Sequence, residues 1–178
     1  MAGLSTPPDA GRTPGAGRTS GGDLTRRART RRRGFHFEPF SLKQLQLMTW
    51  WHPSSPLASA DGVIAQGAIR SGKTIAVIIG FLLWTLMTFE KKGGADFIIA
   101  GKSMGALKRN VLGPMFRILD ALGIPYHYDR SSEAPHVKIG FNLYYLFGAN
   151  NERSQDVLQG FTAAGALLDE AVLFPESF

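Results

Sequence analysis

The eight residues from Gly67 to Thr74 match the pattern G-x-x-x-x-G-K-[ST] at every fixed position. The glycines of this pattern allow a loop in which several backbone N–H groups point into one concavity and bind phosphate oxygens. The lysine places a positive charge on the β- and γ-phosphates, and the final hydroxyl is a ligand for Mg²⁺. The spacing therefore predicts a nucleotide-binding loop formed by Gly67, Ala68, Ile69, Arg70, Ser71, Gly72, Lys73 and Thr74.

The residues on either side of this loop support the prediction. Residues 62–66 have the composition of a short buried strand, and the uncharged run from Ile75 to Phe89 has that of a buried helix. This order of strand, loop and helix is the context that supports a phosphate-binding loop, in which the helix directs its positive N-terminal end at the anion. The alternative for this segment is a glycine-rich turn that happens to contain a lysine.

A second pair of candidate residues, Asp169 and Glu170, follows the apolar run of residues 164–168. Ligands of a parallel sheet bind at the carboxyl ends of its strands, so an aspartate in this position can hold Mg²⁺. A carboxylate directly after it can act as general base on an attacking water, which favours an ATPase over a kinase or a GTPase. The alternative is an ordinary helix start, where acidic residues are also common.

The rest of the chain supplies the elements that must position these residues. Ser41 is a candidate cap for a helix from Leu42 to about Trp51, and Ser103 is a candidate cap for a helix that extends to about Leu122. Residues 150–158 are predicted to form a short helix or an ordered loop. Strands are predicted at 95–101, 136–140, 143–147 and 164–168. This alternation predicts an α/β fold, a P-loop NTPase three-layer sandwich with a mostly parallel central sheet.

Charge divides the chain into two parts. Residues 1–34 contain eight arginines and two aspartates, and they account for the whole net charge of +6. This segment buries too little apolar surface to offset chain entropy, so we interpret it as a disordered arm that contacts nucleic-acid phosphates or is a solvated tail. Residues 35–178 carry no net charge and form the predicted ATPase domain. The chain has no cysteine, which excludes disulfides and thiolate metal sites.

Four segments of the chain together resemble the ATPase domain of phage terminase large subunits, the motors that drive viral DNA into a preformed capsid. The resemblance covers residues 36–178 and implies ATP and Mg²⁺ as cofactors. The segments are residues 67–74, Phe147-Gly148-Ala149, the Gln-Gly-Phe-Thr sequence at 159–162 and the Leu-Leu-Asp-Glu-Ala sequence at 167–171.

The resemblance implies a role for each residue that matches the motifs of the family. Lys73 and Thr74 would bind the phosphates and Mg²⁺, and Arg70 would sense the γ-phosphate. Asp169 would bind the metal, and Glu170 would activate the attacking water.

A glutamine upstream of the phosphate-binding loop often contacts adenine in this family. The resemblance implies this role for Gln44, with Gln46 as the alternative residue. The other interpretation of Gln44 is a solvated helix residue without a binding role.

The family also implies double-stranded DNA, a terminase small subunit and a portal protein as partners, a homo-oligomeric ring, and the cytoplasm of a bacterial host as the location. Many relatives have a trans-acting arginine where this chain has Gln159, and Arg153, Arg130 or Arg109 are candidates to replace it. The chain stops at Phe178, before the expected coupling motif and nuclease domain. This predicts a fragment, a truncated gene or a split subunit, with a sheet that is incomplete at the C-terminus.

Two other functions are compatible with the motifs. One is another P-loop ATPase with the Asp-Glu pair, such as a helicase. The other is an inactive prophage remnant that binds nucleotide without hydrolysing it.

Overall fold

The structure is a computed structural model that describes residues 37–67, 71–131, 134–150, 160 and 162–176. The arm at 1–34 and residues 151–158 of the helix or loop predicted at 150–158 lie outside the described residues. In chain order, the elements are helices α1 (Leu42–Met48) and α2 (Lys73–Phe89), a 3₁₀ turn (Glu90–Lys92), strand β1 (Asp96–Gly101), helix α3 (Met104–Leu107), a π-helical segment (Lys108–Leu112), helix α4 (Gly113–Leu122), strands β2 (Tyr126–Asp129), β3 (His136–Ile139), β4 (Asn142–Gly148) and β5 (Gly165–Asp169), and a second 3₁₀ turn (Ala171–Leu173).

The five strands form one sheet in the order β2-β3-β4-β1-β5. β1 pairs in parallel with β4 on one side and with β5 on the other, whereas β3 pairs antiparallel with both β4 and β2. The core of the sheet is therefore parallel, as the sequence predicted, and an antiparallel hairpin extends it. In the register of the parallel strands, Gly101 at the end of β1 is beside both Gly148 of β4 and Asp169 of β5.

The hydrophobic core lies between one face of the sheet and the helices α2, α3 and α4. Phe97, Ile99, Tyr144 and Leu146 alternate with outward-facing residues along β1 and β4, and all four are almost fully buried. The ring of Phe97 stacks on Tyr144 at a centroid distance of 5.3 Å and meets Phe81 of α2 edge to face at 5.9 Å. These ring contacts add to the buried apolar area and hold α2 on the parallel strands.

Polar contacts fix the direction of α2 over the sheet. The Thr85 hydroxyl lies 2.6 Å from the Tyr144 hydroxyl, and the Asn142 side-chain amide donates to the Thr85 backbone oxygen at 3.1 Å. Directly after α2, the Glu90 carboxylate accepts a hydrogen bond from the Phe141 backbone N–H at 3.1 Å. The C-terminal end of α2 therefore lies at the beginning of β4. The helix runs antiparallel to β4, and its N-terminal end is directed toward the C-terminal ends of the parallel strands.

Most of the predicted elements are confirmed. The predictions for α2, β1, β3, β4 and β5 agree with the structure to within two residues at each end. The helix after Ser103 is also confirmed, and the Ser103 hydroxyl accepts a hydrogen bond from the Ala106 N–H at 3.2 Å. Helix α1 ends at Met48, before the predicted end at Trp51. Strand β2 and the π-helical segment were not predicted from the sequence.

The strand predicted at residues 62–66 is wrong. These residues form no strand, and the side chains of Val63 and Ile64 are 39% and 87% exposed. Their apolar composition indicated burial, but a segment becomes a strand only when a neighbour provides ladder hydrogen bonds. Among the described strands, β2 and β5 are the two edges of the sheet, and each pairs with only one other strand. Residues 62–66 therefore have no ladder partner in the described part of the chain.

Residues Lys73–Lys92, which comprise α2 and the turn after it, are the one described segment that is long and apolar enough to cross a membrane. Length and composition alone are weak evidence for a span, because helices in the core of a domain share them. Ala76, Ile78, Phe81 and Leu82 are buried within the domain, so packing accounts for the apolar character of this face of α2, whereas Met87 is 62% exposed.

Candidate nucleotide-binding site

The loop that the sequence predicted to bind phosphate leads directly into α2. Gly72 occupies the N-cap position with φ 73° and ψ 10°, a left-handed conformation that glycine adopts without strain. Lys73 begins the helix, and its ammonium group donates hydrogen bonds to the Gly67 backbone oxygen at 2.7 Å and to the Ser71 hydroxyl at 3.3 Å. The lysine thus bridges the two ends of the loop. Ala68, Ile69 and Arg70 lie outside the described residues.

The position of this loop at the start of α2 favours anions. The first N–H groups of a helix have no intrahelical partner, and the helix dipole places partial positive charge at the same end. Because α2 runs antiparallel to β4, the loop lies near the C-terminal ends of the parallel strands. Asp169, the last residue of β5, is at the C-terminal end of its strand too. The fold therefore brings the two sequence motifs to the same end of the sheet, as expected from the sequence.

Gln44 of α1 contacts the loop from the outside. Its side-chain Nε2 donates to the Ser71 backbone oxygen at 3.0 Å, and its side-chain Oε1 accepts from the Ser41 backbone N–H at 2.7 Å. A Cβ atom on Gly72 would lie 2.6 Å from Gln44 Nε2, so the side chain packs closely on the loop. Gln46, the alternative residue, is exposed. The predicted adenine contact of Gln44 stays a prediction, but Gln44 is not simply a solvated helix residue.

The second motif ends β5. Asp169 is half-buried, and its Oδ2 atom accepts a hydrogen bond from the Asn110 side-chain amide at 3.3 Å. Glu170 is exposed and has φ 57° and ψ 41°, which makes it the one residue other than glycine with positive φ in the described part of the chain. A short 3₁₀ turn begins directly after it. A strained backbone conformation at Glu170 and a short helical turn directly after it thus occur together at this motif.

The candidate metal ligands suit magnesium by their chemistry. The Thr74 hydroxyl and the Asp169 carboxylate are hard oxygen donors, and Mg²⁺ is typically bound through one or two carboxylates together with substrate phosphates and waters. Within the described ranges, no group of three or more His, Cys, Asp and Glu side chains forms a separate metal cluster. The donors present therefore fit a metal that arrives with nucleotide.

The arginines that the sequence analysis considered as trans-acting residues occupy different places. Arg130 follows β2, and its guanidinium carbon lies 5.2 Å from the ring centroid of Tyr128. Three strands separate β2 from β5 in the sheet, so Arg130 is remote from Asp169 in the same chain. Arg109 is exposed in the π-helical segment, and Arg153 and Gln159 lie outside the described residues.

Sequence reasoning missed Asn110, although it contacts one of the predicted site residues. The apolar spacing of residues 107–122 predicted a regular helix, and a polar residue within such a pattern is expected on the solvent side. Only the three-dimensional arrangement shows that Asn110 faces the end of β5.

Comparison with solved structures identifies similar proteins. The large terminase from a thermophilic bacteriophage is 42% identical to the chain with a TM-score of 0.72, and the match covers 79% of this chain and 34% of that one. The same terminase in complex with ADP matches with 42% identity, a TM-score of 0.68 and the same coverage. Its complex with ATP-gamma-S matches with 39% identity and a TM-score of 0.64, over 79% of this chain and 33% of that one.

The matches concern only part of the known protein, because the chain spans about one third of the length of that phage terminase. No protein-family model and no curated protein matches the chain significantly. At an identity of about 40% over most of the chain, both the sequence and the fold are similar to those of a phage large terminase.

Proposed function

We propose that the chain binds and hydrolyses ATP as the ATPase domain of a phage DNA-packaging terminase. The observation that carries the proposal is the hydrogen bonding of the Lys73 ammonium group to both ends of the loop at the start of α2. The similarity to a terminase that has been solved with ADP and with ATP-gamma-S supports the choice of an adenine nucleotide.

Each residue of the site has a distinct proposed role. The loop N–H groups and Lys73 bind the phosphates, and Arg70 senses the γ-phosphate from within the loop. Thr74 and Asp169 hold Mg²⁺, which supplies charge neutralisation on the phosphate oxygens when it is bound. Glu170 orients the attacking water and accepts its proton. Glu170 is exposed, so its carboxylate is accessible to water at the C-terminal end of β5.

The wider role in packaging is also a proposal, because the chain spans only a third of the phage terminase that it matches. We propose that ATP hydrolysis is coupled to translocation of double-stranded DNA into a capsid. The proposed partners are a terminase small subunit, a portal protein and further copies of the chain in a ring, in the cytoplasm of a bacterial host. The arginine-rich residues 1–34 carry the positive charge that DNA phosphates would attract.

Substitution of Lys73 tests nucleotide binding. Calorimetry should detect ATP binding to the parental chain and no binding to Lys73→Ala, because the phosphates lose the positive charge within the loop. Lys91→Ala is the matched control, since Lys91 is an exposed lysine in the turn after α2 and should leave the affinity unchanged. Unchanged ATP affinity in Lys73→Ala would overturn the proposed site.

Substitution of Glu170 tests hydrolysis separately. Glu170→Gln should keep the parental ATP affinity and reduce turnover by about 10²- to 10⁴-fold, the usual contribution of a general base. Turnover at the parental rate would assign the catalytic base to another residue. A parental chain that binds ATP without hydrolysing it would instead support the nucleotide-binding remnant that the sequence left open.

A further inference from the structure

Asn110 is the residue outside the predicted motifs that contacts the proposed metal ligand. Its Nδ2 atom lies 3.3 Å from Oδ2 of Asp169, which is 59 positions away in the sequence. The amide nitrogen donates and the carboxylate oxygen accepts, so the NH₂ group of the amide, and not its oxygen, faces Asp169. The contact therefore has a defined polarity, with Asn110 as donor.

Asn110 belongs to the π-helical segment Lys108–Leu112, which interrupts an otherwise α-helical run. In a π-helical segment the hydrogen bonds span one residue more than in an α-helix, so the direction of the following side chains changes. Such segments occur often at functional sites. Here the segment orients Asn110 toward β5, whereas its neighbours Val111 and Leu112 are buried in the core.

The helix that carries Asn110 is in close contact with the ends of the parallel strands. A Cβ atom on Gly148, at the end of β4, would lie 2.7 Å from the backbone nitrogen of Met104. A Cβ atom on Gly101, at the end of β1, would lie 3.3 Å from the side chain of Leu107. Two glycines thus let the helix approach the first two strand ends, and at the third strand end Asn110 meets Asp169.

We infer that Asn110 is a positioning residue that fixes the Asp169 carboxylate for Mg²⁺. One carboxylate oxygen accepts the hydrogen bond from the amide, and the other remains available to the metal or to its bound water. Hydrogen-bond partners that orient a ligating carboxylate typically contribute about 10- to 100-fold to metal affinity or activity. The inference rests on the proposed function, because it requires Asp169 to be a metal ligand.

The test compares ATP affinity in Mg²⁺ with ATP affinity in EDTA, both measured by calorimetry on the full chain. Asn110→Leu removes the donor and keeps nearly the same side-chain size. We expect it to weaken ATP binding in Mg²⁺ by about tenfold and to leave binding in EDTA unchanged. A role in packing alone predicts no metal-dependent change. Parental Mg²⁺ dependence in a folded Asn110→Leu chain would overturn the inference. Asn110→Ala, which cannot overpack the site, provides the same test if leucine does not fit.

Two further variants separate this inference from the proposed function. Lys108→Ala removes an exposed side chain from the same π-helical segment and should leave Mg²⁺ dependence at the parental value. Asp169→Asn should reduce Mg²⁺ dependence, and adding Asn110→Leu to it should cause no further loss, since coupled residues are not additive. If Asp169→Asn alone has no effect, the metal-binding role of Asp169 fails. If Asp169→Asn has its effect and Asn110→Leu has none, only the positioning role fails.

Discussion

Gln44 and Ser71 connect helix α1 to the phosphate-binding loop through one hydrogen bond of 3.0 Å from the side-chain amide to the backbone oxygen. The same glutamine also completes the N-terminal cap of α1. Its backbone N–H donates to the Ser41 hydroxyl, and its side-chain oxygen accepts from the Ser41 backbone N–H. The orientation of α1 and the conformation of the loop are therefore linked by one side chain.

This link predicts that Gln44→Ala weakens nucleotide binding. A hydrogen bond typically contributes about 0.5–1.5 kcal/mol, so we expect a loss of ATP affinity between about twofold and tenfold. Lys43→Ala is the matched control, because Lys43 is an exposed residue on the same helix and has no proposed role in binding. Titrations of both variants with ATP and GTP measure the effect. An equal loss for the two nucleotides indicates support of the loop, a loss for ATP alone indicates the predicted adenine contact, and no loss for either contradicts both roles.

The close approach of α3 to the strand ends predicts that Gly148 does not tolerate a side chain. The Cβ atom of Gly148→Ala would lie 2.7 Å from the Met104 backbone nitrogen, so the helix must shift. We expect a loss of about 1–3 kcal/mol in the free energy of unfolding, the usual cost of overpacking. In Gly62→Ala, the control, no atom lies within 4 Å of the new methyl group. Chemical denaturation of both variants decides the point, and equal stability would contradict the contact.

The sequence predicted the elements whose signals are local. Ser103 caps its helix as expected, and the apolar runs predicted as β1 and β5 form strands in the structure. In β1, whose residues are all buried or half-buried, burial on both faces selects continuous apolar sequence. β5 is an edge strand, and its Leu168 is 51% exposed. The structure places Lys73 at the start of α2 and Asp169 at the end of β5, as the motifs indicated, and their binding roles stay predictions.

The features that sequence reasoning missed depend on contacts between distant residues. Residues 62–66 have the composition of a strand, yet pairing decides whether a strand forms, and composition does not reveal the partner. Asn110 is separated from Asp169 by 59 positions, and no local pattern marks it. The π-helical segment that orients Asn110 also has no sequence signature in the apolar spacing.

The raised pKa of the buried Tyr144 hydroxyl predicts that the folded chain loses stability at alkaline pH. Burial raises the pKa of Tyr144 from 10.0 to about 12, with the hydrogen bond between the Thr85 and Tyr144 hydroxyls opposing this shift. A raised pKa means that the folded state holds the phenolic proton more tightly than the unfolded state. The contribution is therefore fully present below pH 10 and is lost as the pH rises toward 12. One pKa unit corresponds to about 1.4 kcal/mol, so roughly this amount should be lost between pH 9 and 11.

The variant Tyr144→Phe isolates this effect from other alkaline titrations. It removes the titrating group, together with the 2.6 Å contact to the Thr85 hydroxyl, and should be less stable than the parental chain at pH 8. Denaturation from pH 8 to pH 11 should show the difference in stability between the two chains shrinking above pH 10. A constant difference over this range would contradict the raised pKa.

The backbone conformation of Glu170 predicts that one substitution, Glu170→Gly, will preserve or raise the stability of the chain while lowering its ATP turnover. The left-handed backbone of Glu170, with φ 57°, costs roughly 1–2 kcal/mol for a residue with a side chain, and glycine does not have this cost. We expect Glu170→Gly to unfold with a free energy equal to the parental value or higher by up to about 1 kcal/mol, because the greater entropy of unfolded glycine offsets part of the gain. Glu176→Gly is the control: Glu176 is exposed and has no positive φ, so the entropy term alone should destabilise it slightly.

ATP turnover should rank the two glycine variants in the reverse order: Glu170→Gly, the more stable variant, should be the slower one. Glu170→Gly lacks the proposed base and should lose about 10²- to 10⁴-fold in rate, whereas Glu176→Gly should keep the parental rate. Denaturation curves and steady-state hydrolysis measured on the same samples provide both values. Backbone strain often occurs at functional sites, so the strained conformation of Glu170 agrees with its proposed catalytic role. If Glu170→Gly is markedly less stable than Glu176→Gly, the backbone of Glu170 is not strained, and this explanation of its conformation is wrong.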